Sequence, residues 1–212
     1  MSHVEVGLGR TLWGVLRSPV PPRHRADLAF SLVLLFLLVL QVATGILLSF
    51  YYQPSPGAVH ESIERIVRDV DWGWLVRGLH HWTGQAAILV SAAVLARAFV
   101  RRAYRREGST AWYAGVLVLL LLVVSSYSGE LLPWDNDAYW RVSRSLGQIE
   151  SIPLVGTGLA RILRGGDGVN STTLSRLYSA HSLFLPWFVW LLLVVDGWML
   201  ARRLRSSAGG RA

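Results

Sequence analysis

Four apolar runs, at 28–51, 79–100, 111–128 and 177–201, dominate the pattern of the chain. Each is near the roughly 20 helical residues needed to cross a hydrocarbon core of about 30 Å, so each is predicted to be a transmembrane helix. The first run follows a polar stretch bearing Arg10, Arg17, Arg23 and Arg25 and has no small-residue cleavage site behind it. It is therefore expected to be a retained span and not a signal peptide. The connection 101–110 is a short polar turn, whereas 53–78 and 129–176 are long and patterned, with a helical apolar spacing over 59–70 and an aromatic, Pro133-anchored segment over 132–140. Loops of that length are functional or docking surfaces, or lids that cap the bundle. The chain has no internal repeat, and only the tail from Arg202 is of low complexity and expected to fray. The pattern predicts an all-α integral membrane protein, a four-helix transmembrane bundle whose long non-cytoplasmic loops contain short helices. It divides into an N-terminal segment (1–27), a membrane domain (28–201) and a basic tail (202–212).

Composition agrees: 212 residues with 52% hydrophobic and 16% charged positions and a mean hydropathy of +0.40 are too apolar for an ordinary soluble domain. Ten Trp suit the two membrane interfaces. The net charge of +8 comes from 21 basic residues, every one Arg. Thirteen of them lie in the N-terminal stretch, between Arg97 and Arg106, and in the tail, opposed only by Glu5, Asp27 and Glu107; the long connections hold eight Arg and nine acids. The positive-inside tendency therefore predicts both termini on the cytoplasmic side, and the basic balance needs no nucleic acid to explain it. The absence of Cys excludes disulfides, thiolate metal sites, Cys-held iron–sulfur clusters and covalent c-type haem.

His80, next to His81, and His181 lie just inside two different spans near their non-cytoplasmic ends. A polar ring inside a bilayer is rare and marks a functional site by default. An isolated one is readily explained as an interfacial His bonded to a carbonyl; two at matching depth are not. With no thiolate, their natural joint task in a bundle core is bis-His ligation of a haem iron. Zinc ranks far lower, because it would want four ligands. His81 points about 100° away from His80 around the helix, so the two cannot share one iron.

Nearly the whole chain, from Val20 to about Arg205, resembles the N-terminal four-helix half of the cytochrome b family, in the split form of photosynthetic cytochrome bc-type complexes. The resemblance rests on Gln41-Val-Ala-Thr-Gly45, Phe50-Tyr-Tyr52, Trp72-Gly-Trp-Leu-Val-Arg77-Gly-Leu-His80, Ser128-Gly129-Glu-Leu-Leu-Pro133-Trp134-Asp135, Tyr139-Trp140, Ile152-Pro153 with Gly156, and Arg176-Leu-Tyr-Ser-Ala-His181 with Pro186. It implies haem between the second and fourth spans with His80 and His181 as axial ligands. It also implies Arg77 and Gln41 near the propionates, and Gly45 and Gly129 where the haem approaches the backbone. Glycine in a membrane helix is also a common device for close packing.

The family pattern places a second ligand pair about fourteen residues after His80 and fifteen after His181, one haem layer deeper. Here those positions hold Val94 and Asp196. Val94 cannot ligate iron and Asp196 would be an unusual axial ligand, so both ligands of the cytoplasmic-side haem are missing together. In that layer Gly115 is present, but the first span has Ser31. Asp196 inside a span needs a partner, and Arg97 on the facing helix is expected to pair with it and plug the vacated layer. A quinone or another cofactor in that space is the alternative.

The resemblance implies one haem b and an electron-transfer subunit working between quinone and a partner redox protein. It is not a complete enzyme alone. The expected partners are a second-half cytochrome b-like subunit and a Rieske-type or c-type cytochrome protein. The expected setting is membrane lipid, in a bacterial inner membrane or an equivalent energy-transducing membrane. A redox-silent scaffold of a larger membrane complex is the competing reading; a transporter has only Asp196 in its favour.

Overall fold

The computed structural model describes residues 22–106 and 109–195. The described residues are helical, joined by turns, with no strand among them. Four helices are long and apolar enough to cross a membrane: Arg25–Ser49, Gly73–Val100, Thr110–Glu130 and Ser171–Val195. The first belongs to α1 (Pro22–Ser49), the second is α3 (Gly73–Val100), the third belongs to α5 (Ser109–Glu130), and the fourth is α8 (Ser171–Val195). Between them lie α2 (Val59–Arg68), the short α4 (Ala103–Arg106), α6 (Asn136–Glu150) and α7 (Gly156–Arg164). The chain is an all-α integral membrane protein, as the apolar runs predict.

The bundle core is a set of inward residues from all four spans. Leu37 and Leu38 of α1, Ala87 of α3, Val118 of α5 and Val189 of α8 are buried together, with Val90, Leu121, Leu122, Trp190, Leu192 and Leu193 packed against them. The opposite faces stay apolar and exposed, for example at Phe36, Leu89 and Trp187. A helix apolar on every side belongs in lipid. α1 packs along α3, α3 along α5, and α5 meets α8 where His181 sits.

The second span starts six residues before the predicted 79. Trp72 takes a left-handed conformation, and Gly73 follows with its α-carbon against the Ile66 carbonyl, where any Cβ would collide. This elbow lets α2 run straight into α3. The helical spacing over 59–70 is realised as α2, which buries Val59, Ser62 and Ile66.

The 132–140 segment is not one element. It is a turn through Trp134, again left-handed, followed by a helix. The Asp135 side chain caps α6 by accepting from the Ala138 amide at 2.8 Å, and Ala138, Val142 and Leu146 form the helix's buried stripe. Leu131, Val142 and Leu146 make a second small core beside Trp134, Leu163, Val169 and Leu177, which seats the loop layer on the end of the bundle.

Candidate cofactor site

His80 on α3 and His181 on α8 face each other across the bundle. Their ring centroids are 6.1 Å apart and the planes cross at 76°. Two imidazole nitrogens on opposite sides of one metal, each bonded at about 2 Å, would place the ring centroids about 6 Å apart. Both rings are half-buried, while the neighbouring His81 is exposed and lies edge-on to Trp82. Of the two neighbours, His80 is the one that faces His181.

The orientation of each ring is held by a hydroxyl. Thr44, buried on α1, has its Oγ1 2.9 Å from His80 Nδ1 and donates its own proton to the Leu40 carbonyl at 2.7 Å. With that proton engaged, Thr44 accepts, so Nδ1 of His80 carries the hydrogen. On α5, Ser128 repeats the arrangement. Its Oγ donates to the Ser125 carbonyl at 2.8 Å and lies 3.0 Å from His181 Nδ1, which is also 2.9 Å from that same carbonyl. A carbonyl oxygen can only accept, so His181 too is protonated at Nδ1. Both Nε2 atoms are left as bare lone pairs, the form in which a histidine binds a metal.

Two glycines give these rings their room. A Cβ on Gly45 would stand 3.2 Å from Cε1 of His80, and one on Gly129 would stand 2.8 Å from Cε1 of His181. The resemblance assigns these glycines to the faces of a cofactor. In the structure each is covered by the candidate ligand ring itself.

His181 lies in a π-turn, Ala180–Phe184, where the Leu185 amide reaches back five residues to the Ala180 carbonyl. Pro186, next in the chain, has no amide proton and cannot continue the α-helical ladder, which favours this wider turn. A π-turn inserts one residue and re-phases the helix beyond it, and such turns recur at functional sites.

Gln41 is half-buried beside the pair. Its side-chain carbonyl accepts from Thr83 at 3.0 Å, and its amide nitrogen would be 2.6 Å from a Cβ on Gly84. It therefore braces α1 on α3 one turn from His80. Arg77, three residues before His80, is exposed and makes no hydrogen bond or ion pair to another described residue.

The second layer, around Val94, is built differently. Val94 is half-buried, and beside it Leu95 reaches the space that a Cβ on Gly115 would need, at 2.9 Å. Ser31 is exposed and donates to the Asp27 carbonyl at 2.9 Å. Arg97 donates to the Asp27 carboxylate at 3.1 Å and lies over the Phe30 ring, 5.7 Å from its centroid. Arg101 bonds the same carboxylate. Asp196, the partner expected for Arg97, lies outside the described residues; the described partner is Asp27.

On the other end, Tyr52 fastens the loops to the bundle. Its hydroxyl donates to the Leu132 carbonyl at 2.7 Å and its ring stacks on Tyr178, 5.2 Å between centroids. Burial, with the Tyr178 phenol beside it, pushes the Tyr52 hydroxyl well above its ordinary range, so it stays a donor. Glu150 at the end of α6 is joined to Arg164 of α7 at 2.8 Å. Arg141 of α6 pairs with Asp137 and Glu130.

Thr44, Ser128 and Ser125 are the site residues that sequence reasoning missed. The signal for Thr44 and Ser128 was a hydroxyl residue directly before each of the two glycines, Thr44-Gly45 and Ser128-Gly129; Ser125 acts through its backbone carbonyl, which carries no residue-type signal.

A membrane bundle whose second and fourth spans oppose a pair of Nδ1-protonated imidazoles belongs to the class of helix-bundle metallocofactor proteins. More particularly, the family model described as Cytochrome b/b6/petB matches residues 15–203, and the chain belongs to that family. It is 31% identical over 184 residues to the cytochrome b6 of Synechococcus elongatus, covering 87% of this chain and 86% of that protein. It is 36% identical over 167 residues to the cytochrome b6 of Cyanidium caldarium, covering 79% and 78%. A chain of the solved structure titled "Hyperthermophilic respiratory Complex III" matches the fold with a TM-score of 0.72 at 23% identity. That match covers 89% of this chain but only 54% of the other, so this chain spans about half its length.

Proposed function

We propose that the protein is a b-type cytochrome subunit that carries one haem between His80 and His181 and passes electrons between quinone and a partner redox protein in a cytochrome bc-like membrane complex. The carrying observation is the facing pair of imidazoles at 6.1 Å, each with Nδ1 held by an acceptor. The haem would supply a one-electron couple at its iron. The residues of the chain supply the rest. His80 and His181 would hold the haem iron through their Nε2 atoms. Gly45 and Gly129 let the ligand rings lie against the backbones of α1 and α5. Arg77, an always-charged fork suited to carboxylates, stands at the rim for the propionates, with Gln41 in the surroundings.

The second layer is read as vacated. Leu95 in the space beside Gly115 favours side-chain filling over a second haem or a quinone there. A single haem near one face does not carry an electron across the bilayer, so exchange with quinone and partner takes place at the outer end. The segments 53–78 and 132–140 are the docking surfaces on that reading, toward a second-half cytochrome b-like subunit and a Rieske-type or c-type cytochrome partner. By the Arg distribution both termini are cytoplasmic, with 1–27 and 202–212 flanking the 28–201 membrane domain in a bacterial inner membrane or an equivalent energy-transducing membrane.

Reduced-minus-oxidised spectra of the assembled protein test the ligand assignment. The b-type signal is expected to be lost in both His80→Ala and His181→Ala and retained in His81→Ala. Retention of an unchanged signal in either of the first two variants would refute it.

A further inference from the structure

The two candidate ligands are held by the same device on two different helices. Thr44-Gly45 of α1 serves His80, and Ser128-Gly129 of α5 serves His181. In each, a glycine admits the ring, and a hydroxyl whose proton is already given to a carbonyl of its own helix presents a lone pair to Nδ1. At His181 the Ser125 carbonyl, which accepts the Ser128 proton, also lies 2.9 Å from Nδ1.

We infer that Thr44 and Ser128 are positioning residues that set the redox potential of the bound haem, by keeping each ligand imidazole a permanent Nδ1–H donor. The inference rests on the haem-ligand reading above. An Nδ1–H that donates to an oxygen leaves Nε2 more electron-rich and a stronger ligand. A stronger donor stabilises ferric iron more than ferrous iron, so each such bond lowers the potential. Second-shell hydrogen bonding is one of the levers by which a protein tunes a haem. Thr44 and Ser128 are both buried, at 4% and 7% exposure, so bulk water does not replace the bond when the hydroxyl is removed. At His181 the Ser125 carbonyl still accepts from Nδ1 when the Ser128 hydroxyl is removed, whereas at His80 the acceptor is Thr44, so the larger change of potential is expected at Thr44.

The test is an optical redox titration, with haem content measured alongside, on the assembled protein carrying Thr44→Val, Thr44→Ser or Ser128→Ala. Thr44→Val and Ser128→Ala are expected to keep the haem and to titrate at a higher midpoint potential. Thr44→Ser, which retains the hydroxyl, is expected to match the parent. Loss of haem in Thr44→Val with recovery of both haem and potential in Thr44→Ser would also support the role. Midpoints that stay fixed or fall in Thr44→Val and Ser128→Ala would overturn it, as would loss of haem in Thr44→Ser. A parent protein without haem, or a His80→Ala variant that keeps it, would overturn the ligand reading itself.

Discussion

At Gly129 the place of a side chain is already taken. A methyl there would stand 2.8 Å from Cε1 of His181, against 3.2 Å for the same change at Gly45 and His80. Overpacking of this kind costs about 1–3 kcal/mol where the neighbour cannot yield. Gly129→Ala is therefore expected to lower haem retention and thermal stability more than Gly45→Ala, by haem content and melting of the purified variants. Equal, parent-like retention in both would mean that the rings move freely. His80 and His181 were legible in the sequence because a polar ring in an apolar run stands out, and so were the glycines. What each glycine contacts was not. The hydroxyls beside them were not singled out, because Ser and Thr in a helix commonly bond a carbonyl of their own preceding turn. Thr44 and Ser128 do so as well; their second role depends on which helix faces them.

At the scale of elements, α1 and α3 are joined at one end by Asp27 between Arg97 and Arg101, and nearer the other by Gln41 and Thr83. The Asp27 side chain is 38% exposed, so water and salt screen the ion pairs. Asp27→Asn is expected to cost no more than about 1 kcal/mol, and to make thermal melting in detergent less sensitive to salt. A loss several times larger would mark the triad as a buried, indispensable lock. For the loop layer, Asp135→Ala removes the cap of α6 and is expected to cost about 0.5–2 kcal/mol, seen as faster hydrogen exchange at its first-turn amides. Unchanged exchange there would count against the cap. The four spans were plain from apolar length alone. The start of α3 was not, since it depends on Trp72 adopting a left-handed turn against the end of α2. α6 was read only as an aromatic stretch, although Ala138, Val142 and Leu146, each four residues apart, carry the helical period of its buried stripe.

Across the whole molecule the two halves of the bundle differ in kind. One half opposes two imidazoles. The other presents Val94 in place of an expected ligand, with Leu95 against Gly115. That contrast carries the central claim, a cytochrome b family member that holds one haem where the family pattern provides for two. The most direct test is the haem-to-chain ratio by pyridine haemochrome on the purified protein, with any other haem-bearing subunits of its complex subtracted. One b-type haem per chain is the predicted result. Two would show that the layer around Val94 and Asp196 still holds a haem, and none would leave a redox-silent scaffold; either would contradict the account.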